Sequence, residues 1–523
     1  VQAIGRQPNP PIRAPDGVPV HYERHRPEQT VLYRLVQQHA ATFFDQAEAA
    51  AGADLPQFVK DEFDAFLECG ILAHGFLRLR CGDCGHDKLV AFSCKRRGFC
   101  PSCGARRMAQ TAAHLVDHVI PRVPVRQWVL SLPIPLRLLL AAQPKLVTPV
   151  LQVVHRVITR HLLGQAGLKA EEADSGAVTL IQRFGSAANL NIHFHCLVLD
   201  GVYRCDTDGE PVFVEVPPPT DEALQTVLHK IITRTTQAAH PSGGGRRRGG
   251  FDLYGCQRRR FGRGPRAQAV AGSGLALQAA PGQWPGSSPD SNSPLDCLSP
   301  GSAYRIAFGP RAGQKVLTVQ GTMPRDADLK QSLCADIDGF SLHAAVRCGA
   351  DDRQALEQLC RYITRPALAN ERVQTNAAGQ VVLKLKTPWR DGTTHLVLSP
   401  LEFMQRLAAL VPRPRLHLIR FHGVLAPNAK LRAQVVPQVV PQVVPQVVPQ
   451  EPEPPVQAVP LAECEATCAH HRPVRLSWAK LLKRVFEIDM AHCPNCGGEL
   501  KIIAAILEQP VIEKILTHLG LQA

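Results

Sequence analysis

No run of about 18 apolar residues, the length that crosses a bilayer, occurs in this 523-residue chain. The greasiest stretch, residues 129–142, is broken by Pro133, Pro135 and Arg137, so the sequence predicts no membrane-spanning helix and no membrane partner. A basic segment followed by an apolar one, the mark of a secretory signal, is missing from the N-terminus. The 17 cysteines, many in short paired spacings, do not read as the disulfide framework of a small secreted domain. Cytoplasmic location and metal-binding thiols are the expectation. There is no G-x-x-x-x-G-K-[ST] loop to cradle a nucleotide triphosphate. Acidic residues are also short, 45 against 59 Lys plus Arg, for a net charge of +14 and a pI near 9.2. That surplus predicts a polyanionic partner, nucleic acid before anionic membrane. With 45% hydrophobic and 20% charged residues the chain is neither wholly disordered nor collagen-like, and its length suits about three or four folded units. Val1 in place of Met predicts a fragment or a non-standard start.

Residues 1–28 are Pro-rich and polar and read as a loose leader. Between 29 and 69, Leu32, Leu35 and Val36, then Phe63, Phe66 and Leu67, recur at i, i+3, i+4 and predict two amphipathic helices. A further helix is expected over 105–119. Strands are expected at 127–132 and 178–181, with a helical stretch over 146–163 between them, and at 191–199, closed by the turn pair Asp200-Gly201. Then residues 241–270 hold eight Gly and eight Arg in thirty, and the Gly, Pro, Ser and Arg bias runs to about 302 with no period, which predicts disorder over 235–302. Beyond it come strands at 315–319 and 341–346, a helix at 352–364, and strands at 380–385 and 395–398. Val435-Val436-Pro437-Gln438 is repeated four times in succession. Proline every fourth residue blocks helix and makes 433–460 an extended linker. Residues 461–523 form a small C-terminal module with one C-x-x-C.

Cys81, Cys84, Cys100 and Cys103 stand as C-x2-C-x15-C-x2-C, a spacing in which two tight turns bring four thiolates around one tetrahedral zinc. Cys69, Cys94, His74 and His86 lie close enough in sequence to replace a ligand or build a second site. Lys95, Arg96, Arg97, Arg106 and Arg107 surround these turns, either as a phosphate-binding surface or as solvated charge. Cys493 and Cys496 are half a zinc ribbon, with Cys464, Cys468, His470 and His471 as candidate partners upstream.

His193 and His195 alternate along one predicted strand, so both project from the same face and can grip one metal ion. A histidine pair leaves coordination positions open, which suits a divalent ion polarising a phosphate oxygen; on spacing alone a structural role is the other reading. Tyr362 lies beside the apolar stripe Leu356, Leu359, Cys360 and Ile363 of a helix that opens with an Asp351 and Gln354 pair resembling a capping box. Arg361 and Arg365 flank it, so the phenol can meet a phosphate held by guanidinium groups, or it is an amphipathic tyrosine at a core edge.

Taken together, CGDCGHDKLVAFSCKRRGFCPSCGA (81–105), FGSAANLNIHFHCLVLDGVY (184–203), LEQLCRYITRP (356–366), WRDGTTHLVLSP (389–400), FHGVLAPNAKLR (421–432) and CPNCGG (493–498) closely resemble the insertion-sequence-91 family of transposases, including the ISCR branch, within the HUH superfamily of single-strand nucleases. The resemblance implies an α+β protein: an N-terminal helical and zinc-ribbon-like DNA-binding domain over 29–122, a catalytic domain over 123–432 with a central HUH-type antiparallel sheet, and a C-terminal module like a zinc knuckle. It implies rolling-circle transposition. His193 and His195 match the HUH motif, and Tyr362 matches the nucleophile. Where two-tyrosine members carry the second tyrosine stands Pro366, so single-tyrosine chemistry is implied. The third metal ligand is His343 or Gln358. Structural Zn²⁺ and catalytic Mg²⁺ or Mn²⁺ follow, with single-stranded or hairpin DNA at element ends as substrate, a 5′-phosphotyrosine intermediate, and a host helicase. The resemblance lapses over 235–302, where GC-rich codons read in another frame would give the observed composition. Two compensating frameshifts, or an equivalent sequence error, are the expectation there, with reduced or absent cleavage; a flexible DNA-binding linker is the other reading.

Overall fold

The computed structural model describes residues 20–21, 25–205, 209–239, 303–306, 315–317, 332–386, 388–389, 392–437 and 478–521. Most of the leader, residues 240–302, most of the 433–460 linker, and Cys464, Cys468, His470 and His471 lie outside them. The fold is α+β with several antiparallel sheets. At its centre is a six-stranded antiparallel sheet in the order Cys334–Ile337, Phe340–Cys348, Val125–Ser131, Leu190–Leu199, Gly176–Phe184 and Ile419–Gly423.

The strand Leu190–Leu199 is covered on both faces, and its alternation assigns each residue to one of them. Ile192, Phe194, Cys196 and Val198 pack with Trp128 and Leu130 beneath the helices Val147–Ala166 and Asp221–Ala239. Leu197 and Leu199 join Val178 and Leu180 on the opposite face, under the helices Pro101–His118 and Arg353–Thr364. At the end of the strand Asp200 is buried, 2% exposed, and accepts from Arg126 Nε and a terminal nitrogen at 2.8 Å each and from Arg347 Nε at 2.8 Å. Truncating it strands Arg126, itself 3% exposed. Asp200→Ala is therefore expected to cost about 3–5 kcal/mol, measured as a lowered urea midpoint.

The expected helices of the N-terminal region are Val31–Ala51 and Gln57–Glu68. Their core is not their own: Leu32, Phe43, Phe63 and Phe66 share one cluster with Val381, Leu383, Leu396 and Phe403. Those last residues belong to a five-stranded antiparallel sheet and to the helix Pro400–Leu410 that covers it. The C-terminal module likewise shares its sheet and core with the N-terminal region. Its strand Leu500–Ile506 pairs antiparallel with Phe76–Cys81, which pairs with Asp87–Ala91, and Ile512 and Leu516 of its last helix pack on Leu72 and Phe76. Its helix Trp478–Phe486 reaches the central domain, where Arg484 bonds Asp117 and Glu357 at 2.6 Å each.

Candidate functional site

His193 and His195 stand on the exposed end of the face that Leu197 and Leu199 bury deeper in. Their ring centroids are 4.9 Å apart. His193 Nδ1 lies 2.9 Å from the Asn191 carbonyl oxygen, which requires a proton on Nδ1 and leaves Nε2 with its lone pair. The Gln127 side-chain nitrogen lies 2.8 Å from His195 Nδ1 and, as placed, donates to it, which leaves the proton of a neutral ring on Nε2. Turned over, with its oxygen toward the ring, that amide would accept from Nδ1–H and free Nε2. His195 is 6% exposed, and its buried Nε2 has no hydrogen-bond partner among the described residues. Burial pushes the His193 imidazole down to about 4, opposed by the Asn191 carbonyl and reinforced by Arg137 and Arg365. Burial, then the charges of His193 and Arg365, hold His195 well below the ordinary histidine range. Both shifts favour neutral rings at pH 7; His193 then has Nε2 free as it stands, and His195 frees its Nε2 when the Gln127 amide turns over.

Tyr362 is carried by the helix Arg353–Thr364, whose Leu356, Leu359, Cys360 and Ile363 bury one side. The helix begins one residue later than expected: Asp352 is the cap, accepting from the Ala355 amide at 3.0 Å. Tyr362 points outward, 51% exposed. The Arg365 guanidinium lies 4.4 Å and the Lys386 amine 4.0 Å from its ring centroid. Arg365 is common to both halves of the site, because its charge also acts on His193 and His195. A second tie is Gln182, which stands directly opposite His193 on the neighbouring strand and donates to the Ile363 carbonyl at 2.7 Å. It pins the last turn of the tyrosine helix to the sheet beside the histidines.

The structure does not bring every expected residue here. His343 shares the histidine face, but Val129 lies between it and His195 in the sheet register. Two strand spacings, about 10 Å, separate their backbones. Among the described residues no His, Cys, Asp or Glu forms a group with the pair in which all ligand atoms lie within 4.8 Å of one another, His343 included. Gln358 is exposed one helical turn before Tyr362. The cation over the Tyr362 ring from the flanking pair is Arg365, not Arg361. Gln182, Gln127 and Lys386 were not singled out in the sequence. Gln127 shares its strand with Arg126, and Gln182 shares its strand with Thr179 and Arg183, so polarity inside a strand does not single either out; nothing local marks Lys386.

The cysteines regroup. Cys69, Cys94, Cys100 and Cys103 form one set and Cys81, Cys84, Cys493 and Cys496 the other, each with its sulfurs within 4.8 Å of one another. The expected single site of Cys81, Cys84, Cys100 and Cys103 is thus divided between two. In the first set, Cys69 lies 3.7 Å from both Cys100 and Cys103, and Cys94 lies 3.3 Å from Cys103. Hydrogen bonds from Cys100, Cys69 and Cys94 pull the Cys103 thiol far down toward thiolate. In the second, Cys81 to Cys496 is 3.4 Å and Cys84 to Cys493 is 3.5 Å. Thiolates at the corners of a zinc tetrahedron are about 3.8 Å apart. The two turns of the second set are alike. Gly85 donates to the Cys81 carbonyl and Gly497 to the Cys493 carbonyl, both glycines with φ above +70°, a conformation that favours glycine.

The cations near these cysteines are used unequally. Arg97 donates to the Leu416 and Arg413 carbonyls at 2.6 and 3.1 Å, and Arg107 to the Lys95 carbonyl at 3.0 Å. Both brace the fold. Lys95 is exposed and Arg96, 3.9 Å from Asp61, is turned outward; Arg106 is half-buried on the helix Pro101–His118.

A family model described as "Transposase zinc-binding domain" matches residues 35–132, and one described as "Putative transposase" matches residues 176–432. The chain belongs to the insertion-sequence-91 family of transposases. No curated protein and no solved structure matches it. As a transposase it acts on DNA, and its zinc-binding domain accounts for a structural metal on clustered cysteines. The first cysteine set lies wholly inside the zinc-binding match. The second reaches beyond both matches to Cys493 and Cys496. Among the described residues no single helix is long and apolar enough to cross a membrane.

Proposed function

We propose that this transposase cleaves and rejoins single-stranded or hairpin-tipped DNA at the ends of its element through a 5′-phosphotyrosine on Tyr362, as a cytoplasmic HUH-type enzyme of rolling-circle transposition. The observation that carries the reading is the meeting of an exposed tyrosine, a guanidinium and two neutral histidines at one sheet face. The buried Nε2 of His195, unpartnered among the described residues, beside the available Nε2 of His193 fits a divalent cation once the Gln127 amide turns its oxygen to His195 Nδ1 and draws the ring proton there. Bound there with Gln358 as a candidate third ligand, Mg²⁺ or Mn²⁺ would neutralise charge on the scissile phosphate. The chain's own groups do the rest. Arg365 holds a non-bridging phosphate oxygen beside the Tyr362 ring, Gln182 keeps the tyrosine helix in register with the histidines, and the Tyr362 oxygen attacks in line and displaces the 3′-oxygen. Attack by another 3′-hydroxyl reverses the step and joins strands without a nucleotide cofactor; duplex unwinding then falls to a host helicase. Pro366 allows one tyrosyl link at a time.

Each cysteine set takes one Zn²⁺ in this reading, and Lys95, Arg96 and Arg106 contribute to phosphate binding. The test is a radiolabelled single strand of the element terminus incubated with the transposase and Mn²⁺ and run on a denaturing gel. A label that migrates with the protein supports the reading. Cleavage without an adduct would point to hydrolysis by water, and binding without cleavage to a DNA-binding protein; either sinks it. Residues 235–239 continue the helix Asp221–Ala239, contrary to the disorder expected from 235; compensating frameshifts over the remainder of 235–302 would make cleavage in the same assay weaker than in a relative with ordinary sequence.

A further inference from the structure

The cations around Tyr362 are not equivalent. Arg365 donates to the Tyr362 carbonyl at 2.6 Å. Arg372 is committed to the carbonyls of Lys384, Ala367 and Ser186. Lys386 follows the strand Val381–Lys384, and its amine rests 4.0 Å from the Tyr362 ring centroid. It makes no hydrogen bond or ion pair among the described residues. The groups facing it are the Tyr362 ring and Arg365 from the tyrosine helix, and Arg372 from the turn Asn370–Arg372; the charges acting on it are both positive. Four rotatable bonds let the amine slide across the ring face to the phenol oxygen, and no hydrogen bond or ion pair among the described residues has to be given up.

We propose that Lys386 is a further catalytic residue of the cleavage reaction, the base that takes the Tyr362 hydroxyl proton during attack and returns it during rejoining. The proposal rests on the reading of Tyr362 as nucleophile. In cleavage the phenolic O–H bond breaks and its proton passes to the lone pair of Nζ. The Oη–P bond forms as the P–O3′ bond breaks, with the electron pair leaving on O3′. The proton then moves from Nζ to O3′, directly or through water, so one phosphodiester and one phenol become one phosphotyrosine and one 3′-hydroxyl. Rejoining runs the same transfers backward. Lys386 as a residue is exposed, but its amine packs on the Tyr362 ring and loses water there; this desolvation, with Arg365 and Arg372 adding to it, lowers the amine to about 8, so the neutral form the step needs is accessible near neutral pH. An arginine in its place would keep the charge and lose the base, because guanidinium does not deprotonate in proteins.

The experiment is single-turnover adduct formation on the labelled single strand with Mn²⁺, from neutral to mildly alkaline pH. It compares the full-length wild type with Lys386→Arg, Lys386→Ala and Tyr362→Phe, each checked for zinc content and DNA affinity. The wild-type rate should climb with pH and level off above about 8. Lys386→Arg should be slower by about 10²–10⁴-fold, the usual contribution of a positioned base, and lose that inflection. Lys386→Ala should be equally slow and regain rate in proportion to added ethylamine. A Lys386→Arg enzyme at the wild-type rate would overturn the proposal, since charge alone would then suffice. So would a slowed variant that keeps the inflection, or an alanine variant that added amine does not rescue. If Tyr362→Phe removes the adduct while the lysine variants leave it untouched, only the role of Lys386 fails. An adduct that survives Tyr362→Phe sinks both.

Discussion

Tyr362→Phe is expected to form no covalent DNA adduct, a loss of about 10⁴-fold or more of the kind seen when a nucleophile is removed, while the affinity for single-stranded DNA is unchanged. The asymmetry follows from where the residue sits. Its ring is half exposed at the end of a helix anchored by Leu356, Leu359, Cys360 and Ile363, so deleting one oxygen leaves the packing untouched. The ring also keeps its contacts with Arg365 and Lys386, which preserves the cationic surface that meets phosphate. Gel retardation and the denaturing adduct gel separate the two effects in one preparation. An adduct of wild-type intensity from the Phe variant would remove Tyr362 from the mechanism. Binding should also weaken steeply with salt, because a chain with a +14 surplus gains affinity by counterion release.

The second large effect concerns the cysteine sets. Wild-type chain purified without chelator is expected to hold two zinc ions, and Cys493→Ser and Cys103→Ser one each, by metal analysis. The consequences should differ. Cys103 is 4% exposed within the cluster that also holds Phe63, Phe66 and Phe99, so losing its site removes folding free energy from the core shared by the N-terminal helices and the five-stranded sheet. Cys493 lies in the small cluster of Leu79, Cys81 and Leu500. Losing its site should free the strand Leu500–Ile506 from Phe76–Cys81, read as faster amide hydrogen exchange in both strands, with the central sheet still protected. A count of one zinc in the wild type would remove the second site, and unchanged exchange in the Cys493 variant would show that the strand pairing holds without it.

Much of the local structure was legible in the sequence because it depends on neighbours along the chain. The alternation around His193 and His195 predicts the strand and the shared face, and the 3–4 spacing of Leu356, Leu359, Cys360 and Ile363 predicts the tyrosine helix. Both appear, as Leu190–Leu199 and Arg353–Thr364. The helix Asp221–Ala239 and the strand Ile419–Gly423 were not anticipated, the strand because its burial is partial on both sides and carries no clean alternation.

By itself the sequence determined the family, the cationic character and the identity of the half-sites: each C-x-x-C, the histidine pair and the tyrosine between its arginines. Those are short-range properties, set by residue type and spacing. Which half-sites meet was decided only by the tertiary structure. Cys84 and Cys493 are 409 residues apart, and nothing in either C-x-x-C names its partner. The pairing of Leu500–Ile506 with Phe76–Cys81 does, by carrying one turn onto the other and leaving Cys100 and Cys103 to Cys69 and Cys94. The same holds at the candidate site around Tyr362. His343 has the right residue type on the right face, yet the strand Val125–Ser131 runs between it and His195. Lys386, in an unpatterned segment, is carried to Tyr362 by a separate sheet. A strand order or a helix packing angle is the sum of many weak contacts distributed over the whole core, and no local stretch of sequence contains it.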